Sequence, residues 1–135
     1  MKLGLLQCDE VLPEFLHIIG DFPDMIGGMM GARQNDIEMI VFRVYEGAFP
    51  ASVDECDIYV GGGARQSVFE NEDWIDHYEN FVRELHACEK KFVGICFSHQ
   101  MIAQALGGKV ERSSRDWGVG IKAMKISSTK PWMKP

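Results

Sequence analysis

The 135-residue sequence has no long hydrophobic run. Its apolar stretches, such as EMIVF and FVGICF, are much shorter than the roughly 18 to 20 residues that cross a bilayer. The N-terminal MKLGLLQCDE becomes acidic after a few apolar residues, so it lacks the apolar core and cleavage site of a secretory signal. The sequence therefore predicts a cytoplasmic protein without a membrane segment.

Basic residues are also few. The 14 Lys and Arg stand against 20 Asp and Glu, a formal net charge of -6, and they form no basic stripe on any predicted element. Because this charge repels phosphate backbones, no nucleic-acid partner is expected. The four cysteines form neither a CxxC pair nor the Cys/His spacing of a zinc site. We expect reduced thiols, no metal and no cofactor.

Strand-like and helix-like segments alternate along the chain. The most secure helix lies within residues 71–91, where apolar residues recur at helical spacing. Alternation predicts one domain, residues 1–135, with an α/β fold: a doubly wound, mostly parallel sheet with helices on both faces. The predicted strands are residues 3–8, 37–47, 57–63, 91–97, 108–113 and 120–127, and the other helices begin at Pro13, with a break near Gly20, and at Ser98.

The segment KFVGICFSHQ, residues 91–100, runs from a buried strand into a helix without loop residues between them. Cys96 lies at the junction, and the residues two before and two after it, Gly94 and Ser98, are small. This pattern is typical of a nucleophile elbow, a sharp turn that lifts the nucleophile above the carboxyl edge of the sheet. The first turn of the helix adds unpaired N–H groups and a positive dipole end, which favour a thiolate and hold a developing oxyanion.

The segment GICFSHQMIAQALGGKV resembles the GICxGHQ(x)xAxALGG(x)V segment of class I glutamine amidotransferases, especially the domains related to that of GMP synthetase. The resemblance extends back through GGGARQSVFENEDWI and forward to DWGVG, and it covers residues 57–120 well. It implies a flavodoxin-like fold and an enzyme that releases ammonia from glutamine through a γ-glutamyl thioester. An ammonia-accepting synthetase domain or subunit is then an expected partner, and the question whether the chain forms a homo-oligomer stays open.

The resemblance also implies a role for each site residue. Cys96 would attack the side-chain amide of glutamine, and the backbone N–H groups of Phe97 and of the Gly63-Ala64 turn would hold the oxyanion. Without the resemblance, the glycines 61–63 could form a plain turn. Gln100 would contact the bound glutamine, and the backbone of Asp116, Trp117 and Gly118 would hold its α-amino and carboxylate end.

Two features depart from the family pattern. Ser98 stands where the family has glycine, so its side chain must fit where strand and helix come closest. The family's His-x-Glu motif has no match here: His99 is the one histidine after Cys96, and on the emerging helix its ring would point along the helix. We therefore expect these 135 residues to be the N-terminal part of a longer domain and to be inactive alone.

Two other functions stay open from the sequence. The chain could be a non-catalytic binding or assembly module that retains an amidotransferase-like pocket. It could also be a related hydrolase or a glyoxalase-like cysteine enzyme, although Phe97 argues against this because those proteins usually place histidine directly after the cysteine. The remaining cysteines, Cys8, Cys56 and Cys88, have no base nearby in the sequence and are predicted to be inert.

Overall fold

The computed structural model describes residues 1–31, 35–114, 118, 120–121 and 123–133. Within these ranges one sheet of four parallel strands forms the centre of the fold. The carboxyl ends of parallel strands meet at one edge, and ligands of such sheets bind where the strand order reverses, here between the first and third strands. The strands are β1 Lys2–Gln7, β2 Glu38–Arg43, β3 Ile58–Gly61 and β4 Lys91–Gly94, in the order β2-β1-β3-β4.

Helices cover both faces of the sheet, as predicted. The central strand β1 is buried after Lys2: Leu3 and Leu5 pack with Ile26 on one face, and Leu6 belongs to the core on the other. No helix in the described ranges is long and apolar enough to span a membrane. The helices are α1 Pro13–Ile19, α2 Phe22–Met29, α3 Asp73–Ala87 and α4 Phe97–Ala105.

Helix α3 confirms the periodicity in the sequence, because Trp74, Tyr78, Phe81 and Leu85 are all buried. Each fully buried apolar side chain of this size contributes roughly 1.5–3 kcal/mol to folding. The face that they form packs on the sheet and on α4. Helix α3 thereby helps to hold α4 in place.

The strands predicted at residues 108–113 and 120–127 are wrong for the residues that the structure describes. Gly107, with a φ of +85°, follows the end of α4, and the Gly108 N–H donates to the Ala103 carbonyl at 2.7 Å, so this segment starts as a helix cap. Residues 109–113 pair with none of the described strands. In the second segment the described apolar side chains, such as Met124, are exposed and have no packed face to hold a strand. The strand predicted at residues 37–47 ends at Arg43 and continues as a 3-10 turn, Val44–Glu46.

Candidate active site

Cys96 lies at the turn between β4 and α4. Its backbone has a φ of 54° and a ψ of -104°, a left-handed combination that side-chain-bearing residues rarely adopt. Such strain persists where the surrounding structure enforces it, and it is common at functional turns. The thiol is exposed. The local geometry is therefore that of a nucleophile elbow, with the sulfur presented at the carboxyl edge of the sheet.

Close packing explains why the residue two before Cys96 is glycine. A Cβ atom on Gly94 would lie 2.6 Å from both the carbonyl carbon and the carbonyl oxygen of Ser98. Backbone atoms cannot move aside as a flexible side chain can, so a larger residue would push α4 away from β4. Only glycine allows the strand and the helix to meet this closely.

The glycines 61–63, at and just after the end of β3, place Gly63 beside Cys96. A Cβ atom on Gly63 would lie 3.5 Å from the Cβ and 3.9 Å from the Sγ of Cys96. In the described part of the chain no group accepts a hydrogen bond from the Gly63 N–H. A second N–H comes from Phe97, because the first N–H groups of a helix have no partner within the helix. The Gly63 backbone thus lies beside Cys96, and the predicted role of the Gly63 and Phe97 N–H groups as oxyanion donors stays a prediction.

The side chain of Phe97 anchors the start of α4. It is buried against Trp74, with ring centroids 5.3 Å apart, and stacks with Tyr78 at 6.3 Å. One turn further on, the Gln100 N–H donates to the Cys96 carbonyl at 3.1 Å, and the Gln100 residue is half-buried. His99 is exposed on the same turn. The helix start is held by packing, while Gln100 keeps contact with solvent.

Ser98 fits the junction where the family has glycine. The residue is completely buried, and its N–H donates to the carbonyls of Ile95 at 3.1 Å and Gly62 at 3.2 Å. Its hydroxyl donates to the same Gly62 carbonyl at 2.6 Å. The serine side chain could have disturbed the turn, but its hydroxyl bonds α4 to Gly62, just after the end of β3.

A buried carboxylate fixes the turn that follows the glycines. Asp9, just after β1, accepts from the N–H and Nε of Arg65 at 2.9 and 2.8 Å and from Nη2 at 2.6 Å. Burial alone would raise the pKa of Asp9, but the hydrogen bonds from Arg65 and from the Glu10 N–H outweigh it and lower the pKa below its usual 3.8. The pair links the β1 loop to residues 63–65 at the point where the strand order reverses.

We predict that Asp9→Asn destabilises the fold at neutral pH and much less in acid. A lowered pKa stabilises the folded state above the unfolded pKa, near 3.8, and this contribution is lost as the pH falls through the folded value. The difference in free energy of unfolding between wild type and Asp9→Asn should thus be constant near neutrality and shrink below about pH 4. Urea titrations at several pH values measure it. Glu14→Gln, at an exposed carboxylate of α1, is the control, and a difference independent of pH would refute the prediction.

The four cysteines divide into two buried and two exposed thiols. Cys8 and Cys56 are buried, and burial raises the pKa of Cys8 to about 11 and also raises that of Cys56. Cys88 is exposed like Cys96. Its thiol is therefore accessible, and the prediction that it has no chemical role stays a prediction. None of the four forms a disulfide.

We expect two fast-reacting thiols in the folded chain and four after unfolding, measured with a chromogenic disulfide at pH 8. Cys88→Ser and Cys96→Ser should each remove one fast thiol, because these two are accessible. Reaction of Cys8 at the rate of Cys88 in the folded protein would contradict this assignment.

The other predicted site residues are placed as follows. Ala64 is half-buried next to Gly63 and packs against the core. Asp116 and Trp117 lie outside the described residues, so their predicted contact with the glutamine backbone stays a prediction. Gly118 is described and exposed, and its predicted role also stays a prediction.

Sequence reasoning missed Asp9 and Arg65 and assigned Tyr78 to packing alone. A signal for the first pair was present: Asp9 directly follows the predicted strand 3–8, and Arg65 lies two residues after the predicted strand 57–63, where side chains of neighbouring parallel strands converge. Tyr78 carried no such signal, because its helical spacing explains its burial without its hydroxyl.

Fold and site together define a doubly wound α/β protein with a cysteine on a nucleophile elbow beside a glycine-rich strand end. Residues 32–131 match the sequence profile of the family "Glutamine amidotransferase class-I". The chain belongs to the class I glutamine amidotransferase family.

Several curated proteins are similar to the chain over part of their length. Gamma-glutamyl peptidase 5 of Arabidopsis thaliana is 36% identical over 86 residues, which are 62% of this chain and 34% of the peptidase. A protein of Saccharomyces cerevisiae, provisionally named a glutamine amidotransferase, is 31% identical over 94% of this chain and 56% of its own length. The glutamine-hydrolysing GMP synthase of Pyrobaculum aerophilum is 36% identical over 54% of this chain and 14% of the synthase. The chain thus spans about half or less of these relatives.

Solved structures agree with the fold. A glutamine amidotransferase from Methylobacillus flagellatus superposes with a TM-score of 0.63 at 18% identity, covering 84% of this chain and 41% of that one. At this identity the likeness concerns the fold alone. The flavodoxin-like architecture implied by the sequence resemblance is confirmed.

Proposed function

We propose that Cys96 is the nucleophile of a glutamine amidotransferase site that acts on the γ-carbonyl of a γ-glutamyl amide. The thiolate adds to the carbonyl carbon, the C–N bond breaks, and the amine leaves with one proton, as ammonia when the substrate is glutamine. The γ-glutamyl thioester left on Cys96 is cleaved by water to glutamate and free thiol. The observation that carries the proposal is the strained, exposed Cys96 at the turn between β4 and α4, with the Gly63 backbone beside it.

The oxyanion would lie between the N–H groups of Gly63 and Phe97. Both belong to backbone that is held independently of substrate, Gly63 by the neighbouring Asp9–Arg65 pair and Phe97 by its buried ring. Donors fixed in this way stabilise developing charge without rearranging during the reaction. Ala64 would be a further donor in the same turn, and Gln100 would contact the substrate from α4.

Among the described residues no side chain forms a hydrogen bond with the Cys96 thiol, so none of them is assigned as the base that takes its proton. His99 is exposed on α4 and has no hydrogen bond to Cys96 in the described structure. We therefore expect the chain alone to react at Cys96 but to be inactive in turnover. With glutamine as substrate, a synthetase domain or subunit would consume the ammonia.

A γ-glutamyl peptide is the second candidate substrate. It is supported by the similarity to Gamma-glutamyl peptidase 5, whose sequence matches the chain at 36% identity. The chemistry at Cys96 would be the same, because only the leaving amine differs. The site would then need room for a peptide beyond the scissile bond, in place of a channel for ammonia.

Protection of Cys96 from iodoacetamide separates these substrates. The alkylation rate of Cys96 would be followed by peptide mass spectrometry with L-glutamine, γ-glutamylglycine or asparagine, and Cys88 would provide an internal reference. We expect one γ-glutamyl ligand to slow Cys96 and leave Cys88 unchanged, with the more protective ligand marking the substrate class. Equal rates with and without every ligand would sink the proposal. If a ligand protected Cys96 from iodoacetamide but never formed a thioester with its sulfur, the non-catalytic binding module would instead be favoured.

A further inference from the structure

We propose that the Ser98 hydroxyl, held by Tyr78, is a positioning group that locks the Gly62–Gly63 peptide and so aims the Gly63 N–H at the oxyanion position. The inference rests on the proposed function of Cys96. It gives a role to the serine that departs from the family's glycine, and to a tyrosine hydroxyl that core packing does not explain.

The hydrogen-bond directions in this cluster follow from its chemistry. The Ser98 hydroxyl lies 2.6 Å from the Gly62 carbonyl, which can only accept, so the single serine proton is used there. The Tyr78 hydroxyl lies 2.8 Å from the same serine oxygen and must therefore be the donor of that bond. A directed chain results, from Tyr78 through Ser98 to the carbonyl of Gly62.

The cluster is closed to water. Tyr78 and Ser98 are both completely buried, and the buried thiol of Cys8 lies 3.5 Å from the serine oxygen. Gly61 makes the space: a Cβ atom there would lie 2.2 Å from the Tyr78 hydroxyl and 2.4 Å from the Ser98 hydroxyl. A buried hydroxyl without a partner is costly, so Tyr78 and Ser98 form a matched pair in which each satisfies the other.

The locked carbonyl determines where the next N–H points. The Gly62 carbonyl and the Gly63 N–H belong to one planar peptide unit and point in opposite directions across it. Two donors of Ser98, its N–H at 3.2 Å and its hydroxyl at 2.6 Å, hold that carbonyl. Glycine on both sides allows this peptide a wide range of orientations, and the Gly62 N–H, bonded to the Leu6 carbonyl at 3.1 Å, belongs to the preceding peptide. The two Ser98 bonds would therefore keep the Gly63 N–H on the side of Cys96, in addition to the Asp9–Arg65 pair that holds the following turn.

Two reagents separate positioning from packing. The iodoacetamide rate at Cys96 depends only on the access and the reactivity of its thiol. A γ-glutamyl chloromethyl ketone places its ketone oxygen at the oxyanion position while the thiolate displaces chloride, so its rate also depends on the Gly63 N–H. The informative quantity is the ratio of the two rates at Cys96, with Cys88 as the reference thiol on the same chain.

We expect Ser98→Ala to lower the chloromethyl ketone rate about 10- to 100-fold, since loss of an oxyanion donor costs about 10²- to 10³-fold, while the iodoacetamide rate changes less than about twofold. Tyr78→Phe keeps the serine donor and should have a smaller effect of the same sign. The double variant Ser98→Gly/Tyr78→Phe removes both hydroxyls, so it should recover the melting temperature lost in Ser98→Gly but not the chloromethyl ketone rate.

The inference would be overturned if the ratio of the chloromethyl ketone rate to the iodoacetamide rate were the same in wild type, Ser98→Ala, Ser98→Gly and Ser98→Gly/Tyr78→Phe. A loss of both rates by the same factor would be such a case. Recovery of the chloromethyl ketone rate together with the melting temperature would show packing alone and would overturn it too. Failure of the proposed function looks different, because wild type itself would then show no glutamine-protected labelling at Cys96, and the inference would fall with it.

Discussion

Replacing Cys96 with serine is expected to abolish labelling by a γ-glutamyl chloromethyl ketone, with a loss of at least about a thousandfold, while Cys88→Ser leaves the labelling unchanged. A serine hydroxyl stays protonated at neutral pH and is a weak nucleophile without a base, and loss of a nucleophile costs covalent catalysts up to about 10⁶-fold. Peptide mass spectrometry of the labelled chain measures the result for each cysteine.

Cys88→Ser is a matched control because Cys88 and Cys96 are both exposed thiols, whereas Cys8 and Cys56 are buried. A chloromethyl ketone that chose its target by access alone would label both exposed residues. Labelling confined to Cys96 would thus report the elbow and its oxyanion donors. Labelling that moves to Cys88 in the Cys96→Ser variant at the wild-type rate would show that no γ-glutamyl site had formed.

The second large effect is expected for Gly94→Ala. The added methyl group would lie 2.6 Å from two backbone atoms of Ser98, so the start of α4 must move away from β4. Overpacking of this kind costs about 1–3 kcal/mol, and more where backbone has to shift. The displaced helix would carry the Phe97 N–H and the Cys96 sulfur with it. We therefore expect both a lower free energy of unfolding and a loss of chloromethyl ketone labelling.

Gly28→Ala provides the comparison for Gly94→Ala. Gly28 lies in α2, no atom lies within 4 Å of its added Cβ, and its φ is not in the left-handed region. Alanine at such a position stabilises by about 0.4–1 kcal/mol. Urea unfolding of the two variants should thus give changes of opposite sign. A Gly94→Ala protein as stable as wild type and fully labelled would contradict the steric account of the elbow.

The sequence predicted those elements whose signal is local. The spacing of Trp74, Tyr78, Phe81 and Leu85 predicted α3, and the apolar run ending at Gly94 predicted β4 and the elbow. The strands predicted at 108–113 and 120–127 were wrong for the described residues. A segment with strand-like residues forms a strand only where a neighbouring strand and a face to pack against exist. The local sequence pattern gives no information on either.

Contacts between distant segments could not be predicted in this way. Asp9 and Arg65 are 56 positions apart and meet because β1 and β3 are neighbours in the sheet. Tyr78 and Ser98 are 20 positions apart and meet because α3 packs on α4. The motif identified Cys96, but the groups that hold its surroundings lie in other elements. Ser98 shows the difference most clearly: as a motif position it was a departure, and in the fold it links three elements.

The most direct test of the nucleophile site is a crystal structure of the chain after reaction with the γ-glutamyl chloromethyl ketone. The account predicts one adduct, on the sulfur of Cys96, with the ketone oxygen about 2.7–3.1 Å from the backbone nitrogens of Gly63 and Phe97. An adduct on Cys88, or one on Cys96 whose ketone oxygen faces solvent away from both nitrogens, would contradict it.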